Sequence, residues 1–411
     1  MLRMYDHPSQ MEPLLPRDGQ ADEVLGLAHD LRTEAARLTG ACQNGVSQEL
    51  ARLLRSMNSY YSNKIEGEHT RPLEIEQALS QDFSSDAEKA RLQRLALAHI
   101  ATEQWIQEEP IDVAQAYAPD FLCRIHRHLF GQLSDADRIV RLHDPQGVVS
   151  EALVVTPGEI RHREVRIKNH VAPAASVLPD LLARWSTVYG QARRGELQIV
   201  AAAAAHHRLV WIHPFADGNG RTARLHSLAV LGALELTGGL WSPLRGLARQ
   251  AERYSEALGN ADMPRMGDLD GRGQLSERML LAWIAFFIGI CLDQVRFMSR
   301  MLNLRDMQDR LSALLAHEEH VVKRGLRKEA LRPLHYLFAT QGEVSRGDFA
   351  SMSGLGERTA TTLIGKLLDA GLLRSDSPRG PVRFGIPMDA LRFLFPALWP
   401  EAEADAATAR P

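Results

Sequence analysis

The run His213-Pro-Phe-Ala-Asp217-Gly-Asn-Gly-Arg221-Thr-Ala-Arg224 constrains this chain more than any other stretch. It sets an imidazole, a carboxylate, a Gly-Asn-Gly turn and two guanidiniums into one short segment. Apolar residues then recur at helical spacing from Leu225 onward, so the turn is predicted to open a helix. The first backbone N–H groups of a helix have no intrahelical acceptor, and such a terminus attracts anions. Gly218 and Gly220, on either side of Asn219, let the main chain curl into a concave nest without Cβ atoms in the way. Arg221 and Arg224 lie three residues apart, on one helix face, where both can clamp phosphate oxygens. Asp217 offers only acceptor oxygens, which suits a Mg²⁺ ion better than a phosphate. His213 can take a proton from an incoming hydroxyl. A purely structural turn has no use for all of these together.

The segment resembles the complete signature of the Fic (Fic/Doc) family, His-x-Phe-x-Asp/Glu-Gly-Asn-Gly-Arg-x-x-Arg, with no position departing from it. The resemblance implies transfer of AMP from Mg-ATP to a protein hydroxyl. His213 would be the base, Asp217 the metal ligand, and Gly218, Asn219, Gly220, Arg221 and Arg224 the phosphate site. The family's Doc-like kinase branch carries Lys where this chain has Gly220, which argues for AMP transfer over phosphorylation.

Three further regions gain meaning from that resemblance. Ser62-Asn-Lys-Ile-Glu66-Gly67 is similar to the family's inhibitory motif; on its own Glu66 reads as a solvated carboxylate. The resemblance implies that Glu66 pairs with Arg224 and takes the guanidinium that the ATP γ-phosphate needs. Between Val154 and Val171, partial alternation predicts a short hairpin turning around His162 and Arg163. It resembles the family's flap, which holds a target segment as an added strand through Gly158, Glu159, Ile160, Arg161, Val165 and Ile167. Tyr254, one turn from Leu258, falls in a region resembling the adenine-side wall and is assigned to the nucleotide site; Leu258 is read as core.

The rest of the chain reads as mainly α: a Fic-type helical bundle with a short β-hairpin flap, plus a C-terminal winged helix-turn-helix domain. The divisions are an extension over 1–20, a helical region carrying the inhibitory motif over 21–110, the catalytic core over 111–305, a helical connector over 306–330, the winged unit over 331–388 and a tail over 389–411. Trp211 and Ile212 are predicted to be buried, Phe215 to anchor the motif loop, and His206 and His207 to be surface or capping residues. Tyr60 and Tyr61, beside Glu66, are candidate self-modification sites.

Cys42, Cys123 and Cys291 form no Cys-x-x-Cys pair, which disfavours a zinc site or a disulfide frame. Met1 to Gln20 lacks an apolar h-region, and the apolar run Met279–Leu292 is shorter than a bilayer span of about 20 residues. A cytoplasmic protein with no membrane partner is therefore expected. The net charge is −3, but residues 321–386 hold 11 Lys/Arg against 6 Asp/Glu. DNA is thus a candidate partner for the winged unit alone. The expected function is protein adenylylation restrained by Glu66, with ATP and a hydroxyl-bearing protein, the chain itself included, as substrates. A de-AMPylating hydrolase and a DNA-binding regulator with a Fic core are the rivals, and a homodimer is left open.

Overall fold

The computed structural model describes residues 5–42, 48–68, 70–143, 149–167 and 170–398. As expected, they are mainly helical, with small β elements. The central helix is Glu277–Met301, started by the Ser276 side chain accepting from the Met279 N–H. Trp283, Ile284, Phe287, Ile288 and Val295 along it are buried. It packs on the helices Asp22–Ala41, Glu196–Ile212 and Ala251–Ala261. At 25 residues it is longer than the apolar run predicted, and by length and composition it could cross a membrane. In the structure its apolar residues are instead covered by those neighbouring helices.

Glu196–Ile212 delivers the motif, and its sequence explains how closely it is packed. Ala201 to Ala205 are all buried, so partner helices approach the backbone with no side chain between. The indole N–H groups of Trp283 and Trp185 reach the Ala203 and Ala205 carbonyls at 2.6 and 3.1 Å. The next helix, Asn219–Ala233, packs against Glu196–Ile212 and against Pro119–Gly131. Gln48–Ile65, which precedes the proposed inhibitory residue, lies against Ala87–Glu108 and Leu244–Arg249.

The N-terminal residues form a strap on the bundle. Met11 and Leu14 are buried, the Leu14 carbonyl accepts from the Tyr189 hydroxyl at 2.8 Å, and the Pro13 carbonyl accepts from the fully buried Arg208 at 2.8 Å.

Strands β1 (Ile139–His143) and β2 (Val149–Val154) form one antiparallel ribbon, with Ile139 opposite Val154. Strands β3 (Arg166–Ile167) and β4 (His170–Val171) form a second, two-residue pair. The predicted ladder of 156–161 against 164–167 is therefore absent: residues 156–165 hold no strand, for reasons the site makes plain.

The C-terminal unit has helices Leu331–Thr340, Arg346–Ser353 and Glu357–Asp369. They cover an antiparallel sheet of β5 (Glu343–Val344), β7 (Val382–Phe384) and β6 (Leu373–Arg374), in that spatial order. Leu334, Leu337, Phe349, Leu363 and Leu367 fill its core. Residues 389–398, the start of the predicted tail, are packed: Leu391, Leu394, Phe395 and Leu398 are buried, and the remainder of that segment lies outside the described residues. The Tyr61 hydroxyl donates to the Leu398 carbonyl at 3.3 Å, and Arg245 donates to the Ala397 carbonyl at 2.7 Å. Tyr60 and Tyr61 are 1% and 2% exposed, which removes both as accessible self-modification sites in this conformation.

Replacing Met11 by Ala should lower the unfolding free energy by about 2–5 kcal/mol, the usual cost of emptying a fully buried Met site. Urea denaturation of the full chain measures it; a change below about 0.5 kcal/mol, the level of surface substitutions, would show that the strap is not part of the core.

Candidate active site

The helix Glu196–Ile212 ends at His213, whose backbone is left-handed, with φ 51° and ψ 61°. That region is unfavourable for a residue with a Cβ and persists only where the surroundings enforce it. Here Arg161 does so. Its backbone N–H donates to the Pro214 carbonyl at 2.8 Å, and its Nε donates to the His213 carbonyl at 2.7 Å. The remaining guanidinium nitrogens reach the Arg163 and Pro173 carbonyls at 2.8 and 2.7 Å. Arg161 is only 4% exposed, so a residue expected on a docking strand is instead a buried strut under the imidazole.

The loop beyond His213 is fixed from inside. The Asn219 side chain accepts from the Phe215 N–H at 2.9 Å and donates to the Phe215 carbonyl at 2.8 Å. Its amide is therefore committed to the loop, and the Asn219 contribution to any anion site is its main-chain N–H. Phe215 is fully buried, as expected, and stacks on His126 at 4.0 Å between ring centroids. His126 accepts from the Gly158 N–H at 2.8 Å and so donates its other ring hydrogen to the Asp217 carbonyl at 3.2 Å. Burial and the nearby Arg221 charge push His126 down to about 4, despite the bond to Asp217, which keeps it neutral in this role.

Gly218 takes φ 72°, and a Cβ there would collide with the Phe130 ring. The first helical hydrogen bond of Asn219–Ala233 runs from Thr222 N–H to the Gly218 carbonyl, and no side chain caps the helix start. The amides of Asn219, Gly220 and Arg221 thus precede the first helical acceptor pairing, as the motif predicted.

The glutamate upstream sits on that terminus. Glu66 Oε1 accepts from Arg224 Nη2 at 2.6 Å, and a Cβ on Gly220 would strike the same oxygen. Arg224 is 1% exposed and makes several further bonds. Its Nε and Nη2 donate to the Ser62 hydroxyl and carbonyl, both at 3.0 Å. Burial raises the Glu66 pKa, but the Arg224 and Arg221 charges outweigh it and hold the carboxyl below its ordinary range. Since the shift is downward, the charged pair is complete above the ordinary carboxylate range and is lost only as pH falls through the depressed value.

Tyr254, expected at a nucleotide wall, is 3% exposed and sits beside Arg224. Its hydroxyl also lies 2.9 Å from His206 Nε2, while His206 Nδ1 lies 2.7 Å from the Ser227 hydroxyl. Ser227 donates onward to the Ala223 carbonyl at 3.0 Å, so the chain of donors is consistent with a neutral His206, whose pKa burial drives far down. His206 and His207 are thus corrected from surface to core. The alanine-rich face that admits close packing buries them, and each finds polar partners there. His207 lies 3.0 Å from Asp262, whose other oxygen is 3.0 Å from His170.

His213 itself is partly buried, and Nδ1 lies 3.3 Å from the Val210 carbonyl. A carbonyl only accepts, so Nδ1 carries the proton and Nε2 keeps its lone pair. Desolvation, joined by His170 and Arg161, pushes the ring down to about 3, against the Val210 bond and Glu66. The imidazole is therefore held as a neutral base.

Asp217 is 41% exposed on its side chain and lies 3.4 Å from Arg221 Nη2. Arg221, 7% exposed on its side chain, also donates to Glu68 at 2.8 Å. No cluster of three or more His, Cys, Asp or Glu side chains occurs among the described residues. One exposed carboxylate beside unpaired amides does suit Mg²⁺, which is usually held through one or two carboxylates and substrate phosphates.

The predicted flap residues part company here. Gly158, at φ 80°, is pressed against Cys123 and Arg127, where a Cβ would not fit. Ile160 packs on the core, and Glu159 and Val165 remain exposed and half-buried. Ile167 takes part in β3, paired with His170. Anchoring of Gly158 to His126, and of Arg161 to the motif loop, consumes the backbone groups that a hairpin would need. Sequence reasoning missed His126, Glu68 and the strut role of Arg161, because each depends on a partner distant in the chain.

Residues 116–231, which contain the motif, match the family model described as Fic/DOC family. The protein adenylyltransferase Fic of Drosophila virilis is 39% identical over 88 residues, covering 21% of this chain and 18% of that protein. Its counterpart in Drosophila ananassae is 26% identical over 225 residues, 53% of this chain and 41% of that protein. This chain thus spans less than half the length of these relatives. A Fic family protein from Desulfovibrio desulfuricans G20, known as a crystal structure, superposes with a TM-score of 0.53 at 18% identity, covering 89% of this chain and 97% of that one. Together these matches give homology at the level of the Fic/DOC family over the motif-bearing region and a mainly helical Fic-like fold.

With the ring held neutral by burial, ¹⁵N chemical shifts of His213 in the nucleotide-free protein should show an Nδ1–H tautomer unchanged from pH 8 to pH 5. Titration with a midpoint near 6.5, the unperturbed histidine value of about 6.5, would contradict the buried-base geometry.

Proposed function

We propose that this chain is a protein adenylyltransferase that moves AMP from Mg-ATP to a protein hydroxyl and is held off by Glu66. The observation that carries the reading is the Arg224–Glu66 contact at 2.6 Å over the start of the motif helix. It joins an anion-seeking terminus, a neutral imidazole and a carboxylate lodged where a phosphate would bind.

In the released state the ATP phosphates rest on the amides of Asn219 and Gly220, with Arg221 and Arg224 neutralising the outer ones. Asp217 would hold the Mg²⁺, which supplies charge neutralisation for the phosphates. His213 Nε2 accepts the proton of a Tyr, Ser or Thr hydroxyl. The freed oxygen bonds to the α-phosphorus as the bond from that phosphorus to the β-phosphate bridge breaks, and pyrophosphate leaves. Such transfers ask the protein mainly for positioning and electrostatics. Arg161 supplies positioning, since it holds the carbonyl of the base itself. The exposed Glu159, His162, Arg163 and Glu164 flank that strut and form the surface on which a target segment would dock.

We read the C-terminal unit as a winged helix, on the order of its helices and its three-stranded sheet. Its Arg374 lies 3.9 Å from Glu49, on the helix that leads to Glu66.

Labelling of a lysate with α-³²P-ATP tests the reading. Replacing Glu66 with Gly should raise incorporation about 10- to 100-fold, the equivalent of a charge-assisted bond of about 1.5–3 kcal/mol. In that background His213→Ala should lower it by about 10²–10⁴-fold. Unchanged labelling on loss of Glu66 removes the brake, and release of AMP from modified protein by the unaltered chain would favour a hydrolase.

A further inference from the structure

We propose that Glu68 is a second inhibitory carboxylate, which neutralises Arg221 just as Glu66 neutralises Arg224, so that the site is closed by two latches. The proposal rests on the reading of Glu66 as a brake and extends it to a residue outside the Ser62-to-Gly67 motif.

The local backbone explains how two glutamates of one short segment reach the same helix. Gln48–Ile65 ends with Gly67 at φ 77°, where the Gly67 N–H donates to the Lys64 carbonyl and the Glu68 N–H to the Asn63 carbonyl, at 3.1 and 3.0 Å. This is a Schellman ending, and the left-handed residue reverses the chain sharply. Glu66 and Glu68, on either side of the reversal, then meet Arg224 and Arg221, which lie one turn apart on the motif helix.

Every available oxygen of Glu68 is engaged. Oε2 accepts from Arg221 Nη1 and Oε1 from Arg91 Nη2, each at 2.8 Å. Arg91 is itself tied to Glu88, its neighbour on Ala87–Glu108, by bonds of 2.8 to 3.2 Å. The second latch is therefore fastened to a helix that carries none of the motif. Arg221 has correspondingly little left to offer. One terminal nitrogen meets Glu68 and the other Asp217, its Nε has no hydrogen-bond partner among the described residues, and its flat face lies 5.7 Å from the Phe130 ring.

A phosphate approaching the helix start would thus find both guanidiniums already neutralised. Removing Glu66 restores only one of them. Glu68 would still cancel the charge of Arg221 and set a carboxylate next to the incoming oxygens. The pairing also draws Arg221, with Asp217 beside it, into a cluster that the proposed metal would have to break. If Glu68 instead served to orient Arg221 for phosphate, its loss would weaken ATP binding. The two roles have opposite signs.

The experiment uses the full chain in four forms: unaltered, Glu66→Gly, Glu68→Gln and the double variant. Mg-ATP affinity is measured by calorimetry and AMP incorporation by α-³²P labelling. Glu68→Gln keeps the size of the side chain, removes its charge and turns one of its two accepting oxygens into an NH₂ donor that a guanidinium cannot pair with. The double variant should bind Mg-ATP about five- to tenfold tighter than Glu66→Gly, about the effect expected of freeing a cation from a partly exposed pair worth roughly 1 kcal/mol. Labelling should rise in the same order. Equal or weaker affinity in the double variant overturns the second latch, even when Glu66→Gly alone gains activity. Tighter nucleotide binding without transfer by any form supports the latch and refutes the adenylyltransferase reading instead.

Discussion

A guanidinium shut away from water needs anionic or carbonyl company, and Arg224 is the point on which this site turns. It is nearly inaccessible, so removal of its partner would leave a buried cation uncompensated. Ser62, Tyr254 and Glu66 supply that company from two different helices and one helix end. On the proposed reading, the same lack of water that tightens the pair would make Arg224 a strong attractor of phosphate once the carboxylate withdraws. Inhibition and nucleotide affinity are, on that reading, two outcomes of one desolvated charge.

Around that charge the structure spends its polar groups on rigidity. Arg161 ties four carbonyls to one buried side chain and keeps His213 in a backbone conformation it would not adopt unaided. His126 bridges Gly158 and Asp217 between two phenylalanine rings. These contacts leave the His213 imidazole as a neutral acceptor and the helix start as an uncapped donor surface, each held still by many surrounding groups.

The motif itself was legible because its chemistry is local. An imidazole, a carboxylate, two glycines and two arginines within one loop and one helical turn need no distant partner to suggest an anion site. The helical spacing that follows also located the turn at a helix start. Glu66 was legible only through resemblance, since a lone glutamate before a glycine carries no signal of what it will meet. The strand placement within the flap was misread for a related reason. Partial alternation over Thr156–Arg161 suggested a strand, but strand pairing depends on whether the backbone groups are available, and here Gly158 and Arg161 had other partners. His206 and His207 looked like surface residues by their polarity. The partners that hold them in the core, Ser227 and Tyr254 for His206 and Asp262 for His207, lie more than twenty residues away.

What the sequence alone determined is the kind of chemistry: the amides, the base and the two cations follow from residue types fixed within a dozen positions, where covalent connectivity already enforces proximity. What only the tertiary fold decided is the state of that chemistry. Folding brings Glu66 and Glu68 across more than 150 residues to the two arginines, buries His213 enough to keep it neutral, and turns Arg161 inward. Charge pairing and desolvation depend on distance and on the absence of water, and neither is written in the order of residues until the chain has packed.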